Sequence, residues 1–216
     1  MSYTRTYSPL LQRCRAIFLL LFVILFTLGL QGCDKRGALS PVSNSGTILA
    51  FGDSLTAGYG VNIENSYPSV LARLSKRRVV NAGISGEVTE EGLARLAKVL
   101  DDSSPELMIL LEGGNDILRN QPLSKAKQNL SKMIVMAKEK GVQVVLIGVP
   151  EKKLFSDSAS IYGELAEEHK LVFDPKLISS LIKKPKFKSD SVHFNKAGYE
   201  KMADEIYQLL ENEGAL

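Results

Sequence analysis

The sequence predicts an α/β fold, a three-layer α/β/α sandwich around a central, mostly parallel five-stranded sheet. From Thr47 onward, short apolar runs alternate with longer amphipathic runs, and this alternation of strand and helix implies right-handed crossovers. A parallel sheet built by such crossovers is covered by helices on both faces. The chain has 216 residues, 44% of them hydrophobic, which suits one such domain rather than two. We therefore expect a single domain over residues 47–216.

Five apolar runs have the pattern of strands, and five amphipathic runs have the pattern of helices. The predicted strands are Thr47–Phe51, Val79–Asn81, Leu107–Leu111, Val142–Ile147 and Leu171–Phe173. The predicted helices are Tyr67–Leu74, Thr89–Leu100, Ser124–Lys140, Ala159–His169 and Lys196 to about Leu210. The loops that follow parallel strands gather at the carboxyl edge of the sheet, where ligands bind in folds of this class. A binding site is expected at that edge.

The N-terminal region has the pattern of a targeting signal. Residues Ala16 to Leu30 form an uncharged apolar run after three arginines, which is the order of a secretory signal peptide. This run is shorter than the roughly 20 residues that a membrane-spanning helix needs. The stretch from Leu30 to Cys33 resembles a bacterial lipobox, in which the cysteine carries the lipid. We expect a lipoprotein signal peptide over 1–32 and a flexible tether over 33–46, with an uncleaved signal anchor as the alternative.

The predicted location is the periplasmic side of the bacterial cell envelope, with attachment to the membrane through a lipid on Cys33. Asp34 directly after that cysteine is expected to favour the inner membrane. The other cysteine, Cys14, lies within the predicted signal peptide, so a cysteine nucleophile is excluded from the domain. Apart from the three N-terminal arginines, 24 basic residues balance 24 acidic ones. Nucleic-acid binding, which needs a basic face, is not expected, and neither is an obligate protein partner.

Ser54 follows the first predicted strand and is the candidate nucleophile. Gly52 and Asp53 suit a tight turn before it, which would place the serine hydroxyl beside unpaired backbone N–H groups. A helix cap is the alternative reading of this serine, because serine is a favoured cap residue. Asp190 and His193 lie three residues apart and can supply the base and the carboxylate that orients it. These two residues and Ser54 are the predicted catalytic triad.

Two further loops at the same predicted edge offer hydrogen-bond donors to an oxyanion. Gly83 has a backbone N–H that no side chain blocks, and Asn115 has a side-chain amide in a loop that also contains Gly113 and Gly114. Ordinary turn geometry is the alternative reading of the glycines. Asp53 and Asp116 are expected to brace their loops, and His169 is expected to be solvated. No recognised metal-ligand or nucleotide-binding pattern occurs in the sequence, so no metal or cofactor is expected.

These motifs together resemble those of the SGNH (GDSL) hydrolases, closest to the branch of periplasmic thioesterases, arylesterases and lysophospholipases. The matching segments are Phe51–Gly60, Asn81–Gly86, Glu91–Leu96, Gly113–Asp116 and Asp190–His193. They occur in the family's order and cover almost all of the chain from Thr47 to Leu210. The resemblance implies the flavodoxin-like SGNH fold and an oxyanion hole made by the backbone N–H of Ser54, the backbone N–H of Gly83 and the side chain of Asn115.

The resemblance also implies a serine esterase that hydrolyses short to medium acyl esters or thioesters through an acyl-serine intermediate. Two positions depart from the family pattern. Phe194 follows the histidine where many relatives have proline, and Glu112 precedes the two glycines where relatives of this branch often have leucine. A deacetylase of an envelope polysaccharide and a non-catalytic envelope lipoprotein scaffold are the alternative functions.

Overall fold

A parallel sheet of five strands forms the centre of the structure, a computed structural model that describes residues 39–151 and 157–216. The strands are β1 (Thr47–Gly52), β2 (Arg78–Gly83), β3 (Leu107–Leu111), β4 (Gln143–Ile147) and β5 (Val172–Asp174). Their order across the sheet is β2-β1-β3-β4-β5, and all neighbours are parallel. The chain passes from β1 to β2 and then back across β1 to β3, so the direction of winding reverses beside β1. In such sheets ligands bind at this switch point, beyond the carboxyl ends of the strands.

Helices connect the successive strands and cover the sheet. They are α1 (Ser54–Ala57), α2 (Tyr67–Ser75), α3 (Thr89–Ser103), α4 (Gly114–Leu118), α5 (Leu123–Glu139), α6 (Ser160–His169), α7 (Leu177–Ile182) and α8 (Lys196–Asn212). Short 3-10 turns occupy Ile63–Asn65 and Pro185–Phe187. Helices α2, α7 and α8 pack together, and α3, α5 and α6 form a second group. The predicted α/β/α sandwich with a five-stranded parallel sheet is confirmed.

All five predicted strands and all five predicted helices occur, with ends displaced by at most three residues. The strands of the sheet centre are buried because helices cover both faces. In β1 the four residues from Ile48 to Phe51 are fully buried, whereas β2 at the edge is only half-buried. Phe194, one of the departures from the family pattern, is also fully buried and packs edge-to-face on Tyr199 with ring centroids 5.7 Å apart. This phenylalanine therefore belongs to the core.

Residues 39–46 pack on the domain at the edge formed by the amino ends of the strands. Val42 is only 2% exposed, and its backbone N–H donates to the carbonyl oxygen of Ala215 at 2.9 Å. The N–H and hydroxyl of Ser43 donate to the carboxylate of Glu106 at 2.7 and 2.6 Å. These contacts differ from the prediction of a flexible tether over 33–46, because an apolar side chain and the C-terminal backbone hold this part of the chain.

The predicted signal peptide over 1–32 lies outside the described residues, as do Cys33 and Asp34. Within the part of the chain that the structure describes, no helix has both the length and the hydropathy of a membrane span. Anchoring through Cys33 therefore stays a prediction from the sequence.

Candidate active site

Ser54 is the first residue of α1, directly beyond the carboxyl end of β1. Asp53, not Ser54, caps this helix, because its Oδ1 accepts the N–H of Leu55 at 3.1 Å. The N–H of Ser54 is one of the first-turn groups that have no acceptor within the helix. A Cβ at position 52 would collide with the carbonyl oxygen of Leu111, so Gly52 lets the turn lie tightly against β3. The serine hydroxyl therefore stands at the edge of the sheet beside an N–H group that has no acceptor within its own helix.

His193 lies between Ser54 and Asp190. Its Nε2 is 3.1 Å from the Oγ of Ser54, and its Nδ1 is 2.8 Å from the Oδ2 of Asp190. Hydrogen bonds from the N–H of Val192 and from His193 lower the pKa of Asp190 to about 2, so this carboxylate stays ionised at neutral pH. A carboxylate there holds the proton on Nδ1 and leaves Nε2 to accept from a serine hydroxyl. The three predicted triad residues are thus within hydrogen-bonding distance of one another in the order that the chemistry requires.

Tyr59 is a site residue that the sequence patterns did not identify. Its ring lies over the imidazole of His193, with centroids 4.4 Å apart and planes inclined by 35°. The backbone of Tyr59 is held by Tyr199, whose hydroxyl donates to the carbonyl oxygen of Tyr59 at 3.0 Å. The available signal was the pair of flanking glycines, Gly58 and Gly60, which both have a positive φ and shape the turn that presents the ring.

Gly83 is the last residue of β2 and lies opposite Gly52 of β1. A Cβ at position 83 would collide with the backbone of Thr56 and Ala57, so the glycine also allows α1 to pack on β2. The N–H of Gly83 donates to the Oδ1 of Asn81 at 3.0 Å. An oxyanion would therefore have to replace this side chain as the acceptor.

Asn115 lies at the start of α4, beyond the carboxyl end of β3. One N–H of its side-chain amide donates to the carbonyl oxygen of Glu87 at 2.9 Å, and an amide group has a second N–H for another acceptor. Asp116 next to it is buried and accepts the N–H and hydroxyl of Thr89 at 2.9 and 2.7 Å. Asp116 braces the loop as predicted.

The prediction for the second histidine is wrong. His169 ends α6, but its side chain is only 13% exposed and its Nε2 lies 2.8 Å from the Oγ of Ser131. It is absent from the residues that line the cavity at Ser54. His169 is therefore part of the packing between α5 and α6.

Two carboxyl groups are buried beneath the serine turn. Burial raises the pKa of Asp53 to about 6. Burial, with the nearby charges of Asp53 and Glu87, raises the pKa of Glu112 well above its ordinary value. Glu112 Oε1 accepts the N–H of Gly113 at 3.2 Å, while Oε2 has no hydrogen-bond partner among residues 39–151 and 157–216. The second departure from the family pattern thus places an acid in the core.

A cavity of about 570 Å³ opens beside Ser54 and His193. That volume is in the range of sites for small organic molecules, roughly 300–1,000 Å³. The helices α4 and α7 supply four apolar residues to its wall. The apolar residues of the wall include Leu55, Leu111, Ile117, Leu118, Val149, Pro150, Ile178, Ile182 and Val192. In the described ranges no cluster of three or more His, Cys, Asp or Glu could hold a metal ion. The cavity therefore joins an apolar surface to the polar groups of the triad.

Comparison with known proteins identifies the family of this chain. The GDSL-like lipase/acylhydrolase family matches residues 50–201. An arylesterase of Vibrio mimicus is 41% identical over 153 residues, which are 66% of this chain and 76% of that protein. The thioesterase 1/protease 1/lysophospholipase L1 of Escherichia coli K12 is 31% identical over 173 residues, 76% of this chain and 83% of that protein. A crystal structure of TesA superposes with a TM-score of 0.70 at 27% identity and covers 77% of this chain and 99% of its own.

The family match spans more than half of the chain, and it includes the serine turn, the loops of Gly83 and Asn115, and the segment with Asp190 and His193. The names of these relatives, arylesterase and thioesterase 1/protease 1/lysophospholipase L1, are all names of hydrolases. The chain belongs to the GDSL-like lipase/acylhydrolase family and is a carboxylic ester hydrolase.

Proposed function

We propose that the protein hydrolyses short to medium acyl esters or thioesters through an acyl-serine intermediate, with Ser54 as the nucleophile. The observation that supports this proposal most directly is the pair of hydrogen bonds from Ser54 through His193 to Asp190, at 3.1 and 2.8 Å. A serine has to lose its proton as it attacks, and a neutral imidazole held by a carboxylate is suited to accept it.

In the proposed reaction, His193 Nε2 takes the proton of Ser54 as Oγ attacks the carbonyl carbon of the substrate. The negative charge on the carbonyl oxygen is stabilised by the N–H groups of Ser54 and Gly83 and by the amide of Asn115. The imidazolium then protonates the departing alcohol or thiol as its bond to the acyl group breaks. In the second half, the same imidazole takes a proton from a water molecule as the water oxygen attacks the acyl carbon. The imidazolium then returns the proton to Ser54 Oγ as the bond between Oγ and the acyl group breaks, which releases the acid and restores the enzyme. No metal or cofactor is needed for these steps.

The substrate class is inferred from the cavity and from the relatives. The apolar wall of α4 and α7 is suited to an acyl chain, because burial of each CH₂ group stabilises binding by about 0.8 kcal/mol. Relatives named arylesterase and thioesterase 1/protease 1/lysophospholipase L1 support esters and thioesters as substrates. The substrate in this proposal is a small acyl ester or thioester.

The nucleophile is tested by Ser54→Ala, with Ser124→Ala as control because Ser124 is exposed on α5. We expect turnover of p-nitrophenyl esters from acetate to octanoate to fall by about 10³-fold or more in Ser54→Ala, and to stay unchanged in the control. A fluorophosphonate probe should label the wild type and not Ser54→Ala. Equal turnover by both proteins, or an unlabelled wild type, contradicts the proposal and favours a non-catalytic scaffold. Faster turnover of acetylated peptidoglycan than of any acyl ester favours the polysaccharide deacetylase.

The proposed location is the periplasmic side of the cell envelope, with the chain attached to the membrane through a lipid on Cys33. The apolar run before Cys33 supports export, and Asp34 after it favours the inner membrane. In the proposed organisation, residues 1–32 are the signal peptide, residues 33–38 are the tether, and the domain begins at residue 39.

Attachment is tested by growing cells with labelled fatty acid. We expect label on the wild type and on Cys14→Ala, and none on Cys33→Ala, because only Cys33 would form the thioether. A wild-type protein that remains in the membrane without label contradicts lipidation and favours the uncleaved signal anchor.

A further inference from the structure

The segment Glu91–Leu96 is a family-like motif that the proposed chemistry does not use. It lies on α3, and Arg95 within it reaches the end of the sheet where the site is formed. The Nη2 of Arg95 donates to the carbonyl oxygen of Ala82 at 2.8 Å and lies 3.5 Å from the carbonyl oxygen of Gly52. These carbonyls stand at the ends of β2 and β1, just before Gly83 and the serine turn. One guanidinium therefore contacts the strands that lead to two of the three proposed oxyanion donors.

Glu87 extends these contacts to the third donor. Its two carboxylate oxygens accept the Nε and Nη2 of Arg95 at 2.6 and 2.5 Å. Its backbone carbonyl accepts the side-chain amide of Asn115 at 2.9 Å. The carboxylate is 4% exposed and the guanidinium side chain 21%, and the guanidinium also lies 4.1 Å above the ring of Phe51. The carboxylate of Glu87 is thus buried, and the guanidinium that pairs with it is partly buried.

Because the peptide group is planar, a contact to a backbone carbonyl oxygen also affects the direction of the N–H group that follows it. The carbonyl oxygen of Ala82 and the N–H of Gly83 belong to one rigid peptide unit, so a donor fixed on that oxygen also fixes the direction of the Gly83 N–H. The same argument applies more weakly to Ser54, which lies two residues beyond the carbonyl of Gly52. For Asn115 the contact is direct, because Glu87 accepts one N–H and thereby orients the other.

We infer that Arg95 and Glu87 are positioning residues that hold the N–H of Ser54, the N–H of Gly83 and the amide of Asn115 in a single arrangement for the oxyanion. This inference rests on the proposed function. A buried ion pair of this kind adds little net stability compared with an apolar pair of similar size, so stability alone explains it poorly. The guanidinium presents its donors in a fixed planar fork, which a lysine ammonium cannot reproduce.

The test compares Arg95→Lys, Arg95→Met and Glu87→Gln in the full chain. Lys98→Met is the matched control, because Lys98 lies on the same helix in an exposed ion pair with Asp102. Turnover of a p-nitrophenyl ester is measured per active site, with the sites counted by fluorophosphonate labelling to completion. This normalisation removes any loss of folded protein, which a merely structural role would cause.

We expect kcat per labelled site to fall on the order of 10- to 100-fold in both Arg95 variants, because displaced donors stabilise the transition state poorly. KM should stay within about threefold, since the ground-state carbonyl carries little charge. The double variant Arg95→Met/Glu87→Gln should lower kcat per labelled site no further than Arg95→Met alone, as expected of residues that act as a unit. Lys98→Met should match the wild type.

The inference is overturned if Arg95→Lys and Glu87→Gln both keep kcat per labelled site within twofold of wild type. If Arg95→Met does not fold, these two variants are sufficient for the test. A raised KM with unchanged kcat also overturns it, because that result assigns the pair to substrate binding. Failure of the proposed function has a different signature. It appears in the wild type as absence of Ser54 labelling.

Discussion

At the scale of single residues, the serine turn rests on acids that burial keeps from ionising easily. The pKa of Asp53 is raised to about 6, and that of Glu112 is raised well above its ordinary value, by burial and then by the charges of Asp53 and Glu87. Asp190 shows the opposite effect, because backbone N–H groups stabilise its charge. Carboxyl groups in one site thus differ in their pKa according to solvation and hydrogen bonding.

Glu112→Gln is predicted to make stability less sensitive to alkaline pH. Because the pKa of Glu112 is higher in the folded than in the unfolded chain, the folded state binds more protons, so the free energy of unfolding falls as pH rises above about 4.5. Glutamine has the same shape and does not ionise. We therefore expect the stability of Glu112→Gln relative to that of wild type to increase steadily from pH 5 to pH 9, because only the wild type loses stability as this acid ionises.

Urea denaturation across this pH range measures the effect. Glu139→Gln is the control, because Glu139 is exposed near the end of α5 and its substitution should change the free energy of unfolding by no more than about 0.5 kcal/mol. A stability difference between Glu112→Gln and wild type that is constant with pH would show that Glu112 is not the buried acid described above.

At the scale of elements, the sequence patterns predicted the long elements and missed the short helices. The strands were predictable because strands buried on both faces are continuous apolar runs. Helices α1, α4 and α7 have only four, five and six residues, too few to show a helical period. Two of them begin beside a carboxylate at the end of a strand. Asp53 caps α1, and Asp174 accepts the N–H groups of Lys176 and Leu177 at the start of α7.

The same limit applies to the candidate site. Asp190 and His193 were predictable as a pair because they lie on one turn, and Ser54 was paired with them by chemical complementarity across 139 residues of sequence. The ring of Tyr59 over His193 and the contacts of Arg95 have no such signature. They depend on which loops the strand order places side by side, and that order is a property of the folded sheet.

At the scale of the whole molecule, the two edges of the sheet have different roles. The carboxyl edge holds Ser54 and the loops of the candidate site. The amino edge holds residues 39–46, whose backbone pairs with that of Glu213 and Ala215 near the other end of the chain. The first and last described segments are thus joined at the edge farthest from the chemistry, so contacts there should affect folding without affecting the site.

Val42→Ala in the full chain tests this separation. Val42 is 2% exposed, and the loss of two buried methyl groups with the resulting cavity should cost about 2 kcal/mol. For a domain of this size, that corresponds to a decrease in Tm of about 4–8 °C. Val135→Ala is the control, because Val135 is 41% exposed on α5 and should change stability by no more than about 0.5 kcal/mol. Turnover per labelled active site should equal that of wild type in both variants. An unchanged Tm in Val42→Ala would show that residues 39–46 belong to a flexible tether, because a detached segment has no buried contact to lose. A lower Tm places the start of the folded domain at residue 39.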